Sequence, residues 1–242
     1  MYFPACINRI FGNSRSSTRT LSLPQALVAV SARAGLPLWI PDDVAGTCCT
    51  TVWHSKGYVE AARFMAERTA NRFWVWSDGG RLPIIVDATS CTLGAGRELL
   101  PYLDDARRGR HESLTILDSL TWAAAQLLPE LQVRQKVPSA TVHATCTMQH
   151  LGLSGDLLAL AGAVAELVHV PASMTCCAYA GDRGMLHPEL TTSATAREAE
   201  QVAAAGCSAQ LSANRTCEVG LEQATGSVYQ SVIFALEVAT RS

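Results

Sequence analysis

An α/β protein made of two similar modules with short, mostly parallel sheets is the fold class this sequence predicts. Three observations carry that expectation. Nine cysteines follow a spacing that occurs twice along the chain. Runs of β-forming residues alternate with helical periodicities, the order that βαβ units require. The 242 residues, 48% hydrophobic and 17% charged, supply enough apolar surface to build one large core or two small ones.

The elements follow in chain order. Ser22 caps a helix over 25–34, Pro24 is tolerated in its first turn, and Gly35 ends it. Residues 37–41 form a short strand bracketed by Pro37 and Pro41. An amphipathic helix covers 58–72, opening just after Gly57. Residues 83–87 are a continuous apolar run of strand length, buried on both faces in a parallel sheet. The charged stretch 104–111 is expected to be an exposed connection ahead of a helix over 119–128. Then come a strand over 140–143, a helix over 156–166 and a strand over 167–170 stopped by Pro171. A helix over 194–205 and a weak strand over 210–213 close the series. The expected division is a first module at 1–104, a connecting segment with a helix at 105–135, and a second module at 136–242. The first module opens almost directly on Cys6, as a module shortened at its N-terminus would.

Charge narrows the function. With 19 Lys+Arg against 21 Asp+Glu the formal net charge is −2, too little basic excess to neutralise phosphates, so no nucleic-acid partner is expected. No window of 18 uninterrupted apolar residues marks a transmembrane helix. The first twelve residues lack the pattern of a secretory leader. A cytoplasmic location is expected, with membrane association only through partners. In that setting disulfides explain nine cysteines poorly, and metal or redox chemistry explains them better.

Position sharpens the count. Cys48-Cys49 and Cys176-Cys177 are adjacent pairs, each with one cysteine well before it and one well after it. Cys6 and Cys91 lie 42 residues before and 42 after the first pair. Cys146 and Cys217 flank the second pair by 30 and 40. Only Cys207 falls outside, and it is read as an ordinary core cysteine. Phe3-Pro4-Ala5-Cys6 has its counterpart in His143-Ala144-Thr145-Cys146, and Asp87-Ala88-Thr89-Ser90-Cys91 in Ala213-Asn214-Arg215-Thr216-Cys217. Such a long repeat means an internal duplication of a domain and not a solenoid. Cysteines at the C-terminal ends of parallel strands would occupy the place where such sheets bind ligands.

Four thiolates from three segments make a soft-ligand cage. An iron–sulfur cluster suits it, because four cysteines hold a four-iron cluster. Zinc could use the same donors, although structural zinc sites favour short CxxC knuckles and this chain has none. Thiol redox chemistry is the third reading.

Two stretches carry a resemblance. One is Val44-Ala45-Gly46-Thr47-Cys48-Cys49 with Ser55-Lys56-Gly57. The other is Cys176-Cys177-Ala178-Tyr179-Ala180-Gly181-Asp182-Arg183-Gly184 with His187-Pro188-Glu189-Leu190. They resemble the cysteine-rich CCG domain, which usually occurs twice and is found in heterodisulfide reductases and in the iron–sulfur subunits of glycolate oxidases. Both look most like the C-terminal portion of bacterial FAD-linked, iron–sulfur D-lactate dehydrogenases. The resemblance covers nearly the whole chain. It implies one or two clusters of the 4Fe-4S type, held by Cys6, Cys48, Cys49 and Cys91 and by Cys146, Cys176, Cys177 and Cys217. It also implies an electron-transfer role within a flavin-dependent 2-hydroxy-acid dehydrogenase. Partners would be an FAD-binding oxidase domain or subunit and a ferredoxin-type segment, because no flavin-binding motif and no CxxCxxC run occur here. The chain alone should not oxidise lactate. Two departures stand out. Ala88 and Asn214 replace the first cysteine of the family's final CxxC, and Thr50 and Ala178 replace the glycine after each pair. The alternative function is a zinc-stabilised or metal-free interaction module.

Other candidates surround the pairs. Lys56 and Arg183 occupy equivalent turns and would offset cluster charge or meet a substrate carboxylate, with a plain solvated charge as the other reading. His187, like His54 and His143, lies near the cysteines as a ligand, a proton donor or a simple neighbour. Trp53 and Tyr179 would screen a site from water or merely pack. Asp42-Asp43 reads as a turn.

Overall fold

Ile84, Ile85 and Val86 are wholly buried, and a strand apolar on both faces must sit inside a sheet covered on both sides. The computed structural model describes residues 1–13 and 20–241, and it is a mixed α/β fold with two short sheets. The first half contains β1 (Tyr2–Phe3), α1 (Cys6–Phe11), α2 (Leu23–Arg33), α3 (Thr51–His54), α4 (Val59–Trp76) and β2 (Ile84–Val86). It continues with α5 (Thr89–Leu93), α6 (Asp105–Glu112), β3 (Ile116–Asp118) and α7 (Ser119–Trp122). Its sheet has the order β1-β2-β3, with all pairs parallel and Ile85 in register with both Tyr2 and Leu117.

The second half contains β4 (Val137–Val142), α8 (Cys146–Leu151), α9 (Ser154–Val164), β5 (Ala165–His169), α10 (Arg183–Leu186) and α11 (Pro188–Ala205). It ends with β6 (Ala209–Ser212), α12 (Arg215–Thr225), β7 (Tyr229–Ser231) and α13 (Val232–Ala239). Its sheet, β5-β4-β6-β7, is also wholly parallel. Strands β1, β2 and β3 correspond in order and pairing to β4, β6 and β7. The helices α1, α2, α4 and α5 likewise match α8, α9, α11 and α12. The duplication expected from cysteine spacing is thus matched by the topology.

Several boundaries differ from expectation for identifiable reasons. Residues 37–41 are not a strand. They lie beside β1, where β5 lies beside β4, but the contact comes down to Tyr2 N donating to Trp39 O at 2.9 Å. Pro37 and Pro41 have no N–H with which to extend a ladder. The charged stretch 104–111 is not an open connection. Asp104 accepts from Arg107 N at 2.7 Å and caps α6, and His111 on its inner face is buried against Ala95 O at 2.7 Å. Segment 105–135 also supplies β3 to the first sheet and α7 to the core. Helix α4 runs past 72 because Phe73 and Trp76 continue its buried face. Pro188, at the first position of α11, starts that helix well before 194. In α2 the Ser22 cap is confirmed as a capping box with Gln25.

The main core is common to both halves. It joins Tyr2, Ile85 and Leu120 with Ala140, Val142, Leu211 and the apolar faces of α2, α9 and α13. Arg33 on α2 pairs with the buried Glu237 of α13 at 3.3 Å. Smaller clusters lie around Cys49 and Cys91, and around Cys177 and Cys217. Among the described residues no helix is long and apolar enough to cross a membrane.

Candidate sulfur sites

In a parallel sheet the chain leaves each strand at its C-terminal end and turns into a helix, so residues there share one edge. Cys6 and Cys146 are the first residues of α1 and α8, which follow β1 and β4. Cys91 and Cys217 are each the third residue of α5 and α12, which follow β2 and β6. The adjacent pairs lie in the loops before α3 and α10. All nine cysteines are free thiols.

Within each quartet the sulfurs interact as successive neighbours. In the first half the thiols of Cys6 and Cys48, of Cys48 and Cys49, and of Cys49 and Cys91 influence one another's ionisation. In the second, Cys146 pairs with Cys176 and Cys177 with Cys217, and both Cys176–Cys177 and Cys146–Cys217 interact electrostatically. Crowding governs the protons. The Cys48 hydrogen bond and then burial push the Cys6 thiol up, against a smaller opposing pull from Arg9. The Cys49 bond pushes Cys48 up to about 11. For Cys49 the bond from Cys48 lowers the pKa, but Cys91 and full burial outweigh it. For Cys91 the bond with Cys49 lowers it and burial raises it further. Cys176 is raised by burial. The Cys217 hydrogen bond brings Cys177 down to about 6, with help from Tyr179 N–H and His143, while Cys217 keeps its proton. Stripping all four protons in the first half would need a positive centre among the sulfurs, and a thiolate-bound metal is such a centre.

The sulfurs are linked as neighbours and not as one closed cage. Among the described residues no three His, Cys, Asp or Glu side chains are set to hold a metal ion. The donor set in each half is nevertheless all sulfur, the composition that selects soft metals.

The turns that present the pairs are built alike. Thr50 and Ala178, directly after each pair, have φ of 78° and 55°. This left-handed region normally takes glycine, so both turns hold strain. Two residues after each pair, Thr51 and Tyr179 face a glycine three residues past the last cysteine. A Cβ on Gly94 would stand 1.9 Å from Thr51 Oγ1, and one on Gly220 would stand 2.8 Å from the Tyr179 ring. Gly184 leaves room for the same ring, at 2.4 Å. Asn214, in the place of a family cysteine, donates to Cys217 Sγ at 3.6 Å. Its counterpart Ala88 has no side-chain polar group.

The charged candidates fall on the rim. Lys56 pairs with Asp182 at 2.6 Å, tying the two post-pair turns together across the halves. Arg183, the first residue of α10, is exposed beside it. His187 is exposed and paired with Glu189 at 3.2 Å. His54 meets Tyr102 OH at 2.9 Å. Asp43 is more than a turn residue, since it accepts from Trp76 Nε1 at 2.8 Å and pairs with Arg72. Trp53 packs on Tyr58, whereas Tyr179 is buried against Cys177 and Cys217. Cys207 belongs to neither quartet, and its carbonyl accepts from Gln210.

Sequence reasoning missed Arg9, Arg215, Gly94, Gly220 and Glu198. Arg9 lies one turn after Cys6 and binds Thr47 O at 3.1 Å, just before the first pair. The repeated spacing Cys91-x-x-Gly94 and Cys217-x-x-Gly220 was legible and marks the two packing glycines. Two further links join the sites across the halves, Thr89 to Thr145 at 3.2 Å and Ser90 to Asn214 at 3.3 Å.

No protein-family model matches the chain, and a search of curated proteins finds no match.

Proposed function

We propose that this chain is the electron-transfer portion of a flavin-dependent 2-hydroxy-acid dehydrogenase, with D-lactate the favoured substrate, and that its thiol quartets hold one or two iron–sulfur clusters of the 4Fe-4S type. The observation that carries this reading is the repeated constellation. Four free thiols from three segments are gathered at one sheet edge, and the arrangement occurs twice. Cys6, Cys48, Cys49 and Cys91 would hold the group in one half, and Cys146, Cys176, Cys177 and Cys217 in the other. When bound, such a group relays single electrons, and hydride removal from the substrate belongs to the flavin of the partner. This chain's own residues position and shield. Asn214 orients the Cys217 sulfur. Arg9 places positive charge near Cys6. Phe3, Phe73 and Trp76 keep water from the first site, and Tyr179 does so at the second. The FAD-binding oxidase domain or subunit and the ferredoxin-type segment are supplied from outside the modules described.

Anaerobic purification tests this. Brown protein with several iron and sulfide per chain, and a paramagnetic signal in one redox state, is the expected result. Cys176→Ser lowers the iron content and Cys207→Ser leaves it unchanged. Colourless protein with stoichiometric zinc, or with no metal, overturns the proposal in favour of an interaction module.

A further inference from the structure

Asparagine is among the strongest N-cap residues, because its side-chain oxygen accepts from the first free N–H groups of a helix. Asn214 stands at the N-cap of α12 and makes no such bond. Its carboxamide is committed elsewhere. Nδ2 donates to Cys217 Sγ at 3.6 Å and to Thr216 Oγ1 at 3.4 Å. Oδ1 accepts from Ser90 Oγ at 3.3 Å. Both N–H groups and the oxygen are thus used, and turning the amide over would leave one N–H without an acceptor. Asn214 is buried, so water does not readily replace a bond lost there.

Ser90 comes from the other half. It lies in α5, directly before Cys91 of the first quartet, and is 124 residues from Asn214 in the chain. The bond runs one way. By spacing from Cys91 and Cys217, Ala88 and Ser90 in the first half match Asn214 and Thr216 in the second. Ala88 has no side-chain acceptor, so Thr216 cannot return the bond that Ser90 makes. Its hydroxyl accepts from Asn214 within its own half instead. The first half therefore lends a side chain to the second quartet without a reciprocal bond at this juncture. A partner that orients a ligand from outside is typically worth about 10–100-fold in metal affinity.

We propose that Ser90 is a positioning residue of the second sulfur site, its hydroxyl aiming the Asn214 carboxamide at the Cys217 sulfur across the junction of the halves. The second quartet is then completed by the first half. Nδ2 gives that sulfur a donor, which suits a thiolate, the form that binds metal. Without the Ser90 hydroxyl the amide is free to turn, and its oxygen, an acceptor, then faces the sulfur. The hydrogen bonds stand by themselves, while their effect on metal rests on reading the quartets as soft-metal sites.

The test is ¹¹³Cd NMR on the full, reduced chain, with cadmium(II) as the probe because all-sulfur sites take soft ions. The second quartet's resonance is identified by its loss in Cys176→Ser, and the first quartet's by its loss in Cys48→Ser. Competition with a chelator gives the affinity of each. Ser90→Ala should weaken the second site about ten-fold, the low end of the range for such partners, and leave the first unchanged. Ser90→Thr, which keeps the hydroxyl, should bind as the wild type does. Because Ser90 acts through Asn214, Ser90→Ala combined with Asn214→Ala should weaken binding no more than Asn214→Ala alone. An additive loss, or an equal loss at both sites, overturns the proposal. A second measurement needs no metal. In the chain labelled with ¹⁵N-asparagine, the Nδ2 resonance of Asn214 is assigned by its loss in Asn214→Ala. It should move in Ser90→Ala and in Cys217→Ala and stay in place in Cys207→Ala. A resonance indifferent to Ser90→Ala or to Cys217→Ala overturns the proposal as well. Failure of both quartets to take cadmium defeats the soft-metal reading, and the amide spectrum still decides the role of Ser90.

Discussion

The two sulfur sites share a backbone plan and differ in what surrounds it. In the first, Phe3, Phe73 and Trp76 wall the strand end, and Cys6 and Cys48 are half-buried. In the second, His143 stands at the position of Phe3 and meets Glu198 of α11, and Cys146 and Cys176 are exposed. The halves share strand order, the left-handed residue after each pair, and a glycine three residues past the last cysteine. The lesson is that the duplicated backbone holds the positions of the sulfurs, while the side chains around them are free to diverge in polarity and cover.

The comparison can be broken most strongly at the glycines. Gly94→Ala and Gly220→Ala each force a Cβ into the residue two places after the pair. Each should cost about 1–3 kcal/mol, the range for overpacking a tight site, read as a lowered midpoint in urea unfolding. Gly162→Ala, with nothing within 4 Å in the exposed face of α9, should gain about 0.5–1 kcal/mol from helix propensity. Equal effects at all three sites would mean that the close approach does not govern these positions.

A smaller change sharpens the shared strain. Ala178→Gly keeps the left-handed turn at φ 55° without its Cβ penalty. It should raise stability by about 1 kcal/mol. A fall in the unfolding midpoint would show that the turn is not strained.

Titration separates the halves further. Asp118, which ends β3 and caps α7, is pushed up by burial from 3.8 to about 7, and Asp87, after β2, to about 6. Their counterparts are Ser231 and Ala213, which do not ionise in this range. Across this window the folded chain holds protons that the unfolded chain has released. These groups therefore contribute stability that is full below about 4 and is lost as pH rises through about 7. Asn at position 118 can still accept from Leu120 N, now 2.9 Å from Asp118, so Asp118→Asn should flatten part of that slope in unfolding curves taken from pH 4 to 8. An unchanged slope would assign the pH dependence elsewhere.

The least effect belongs to the link between the halves at the rim. The Lys56–Asp182 pair is exposed on both sides, and such pairs contribute little. Lys56→Ala should leave the unfolding midpoint within error, and a clear loss would make this bridge a structural tie.

Local pattern made much of this legible. Cysteine spacing exposed the duplication because sulfur positions repeat with the backbone. Helix α2 was readable from Ser22, Pro24 and Gly35, since capping chemistry is local. The misreadings share one cause, that apolar and charged content were weighed without the partner. Residues 37–41 have strand-like side chains, but their prolines cannot complete a ladder. Helix α6 was hidden by its charges, and only His111, pressed on Ala95, shows which face turns inward. Glu198 was out of reach because it meets His143 from 55 residues away, and no periodicity encodes that encounter. Arg9 and the two glycines were within reach, through spacing from the cysteines they serve.

Strand β1 carries a consequence for assembly order. It spans two residues, and its hydrogen-bonding partners in and around β2 lie 82 to 85 residues further along the chain. Loop closure over that distance is entropically unfavourable and slow compared with pairing of β2 to β3. Tyr2 OH and Ala5 N, both on Asp87 at 2.5 and 2.6 Å, are what hold the opening strand across that distance. Cys6 travels with it. The seam that fixes β1 is therefore also what fixes Cys6, the first residue of the helix that follows it.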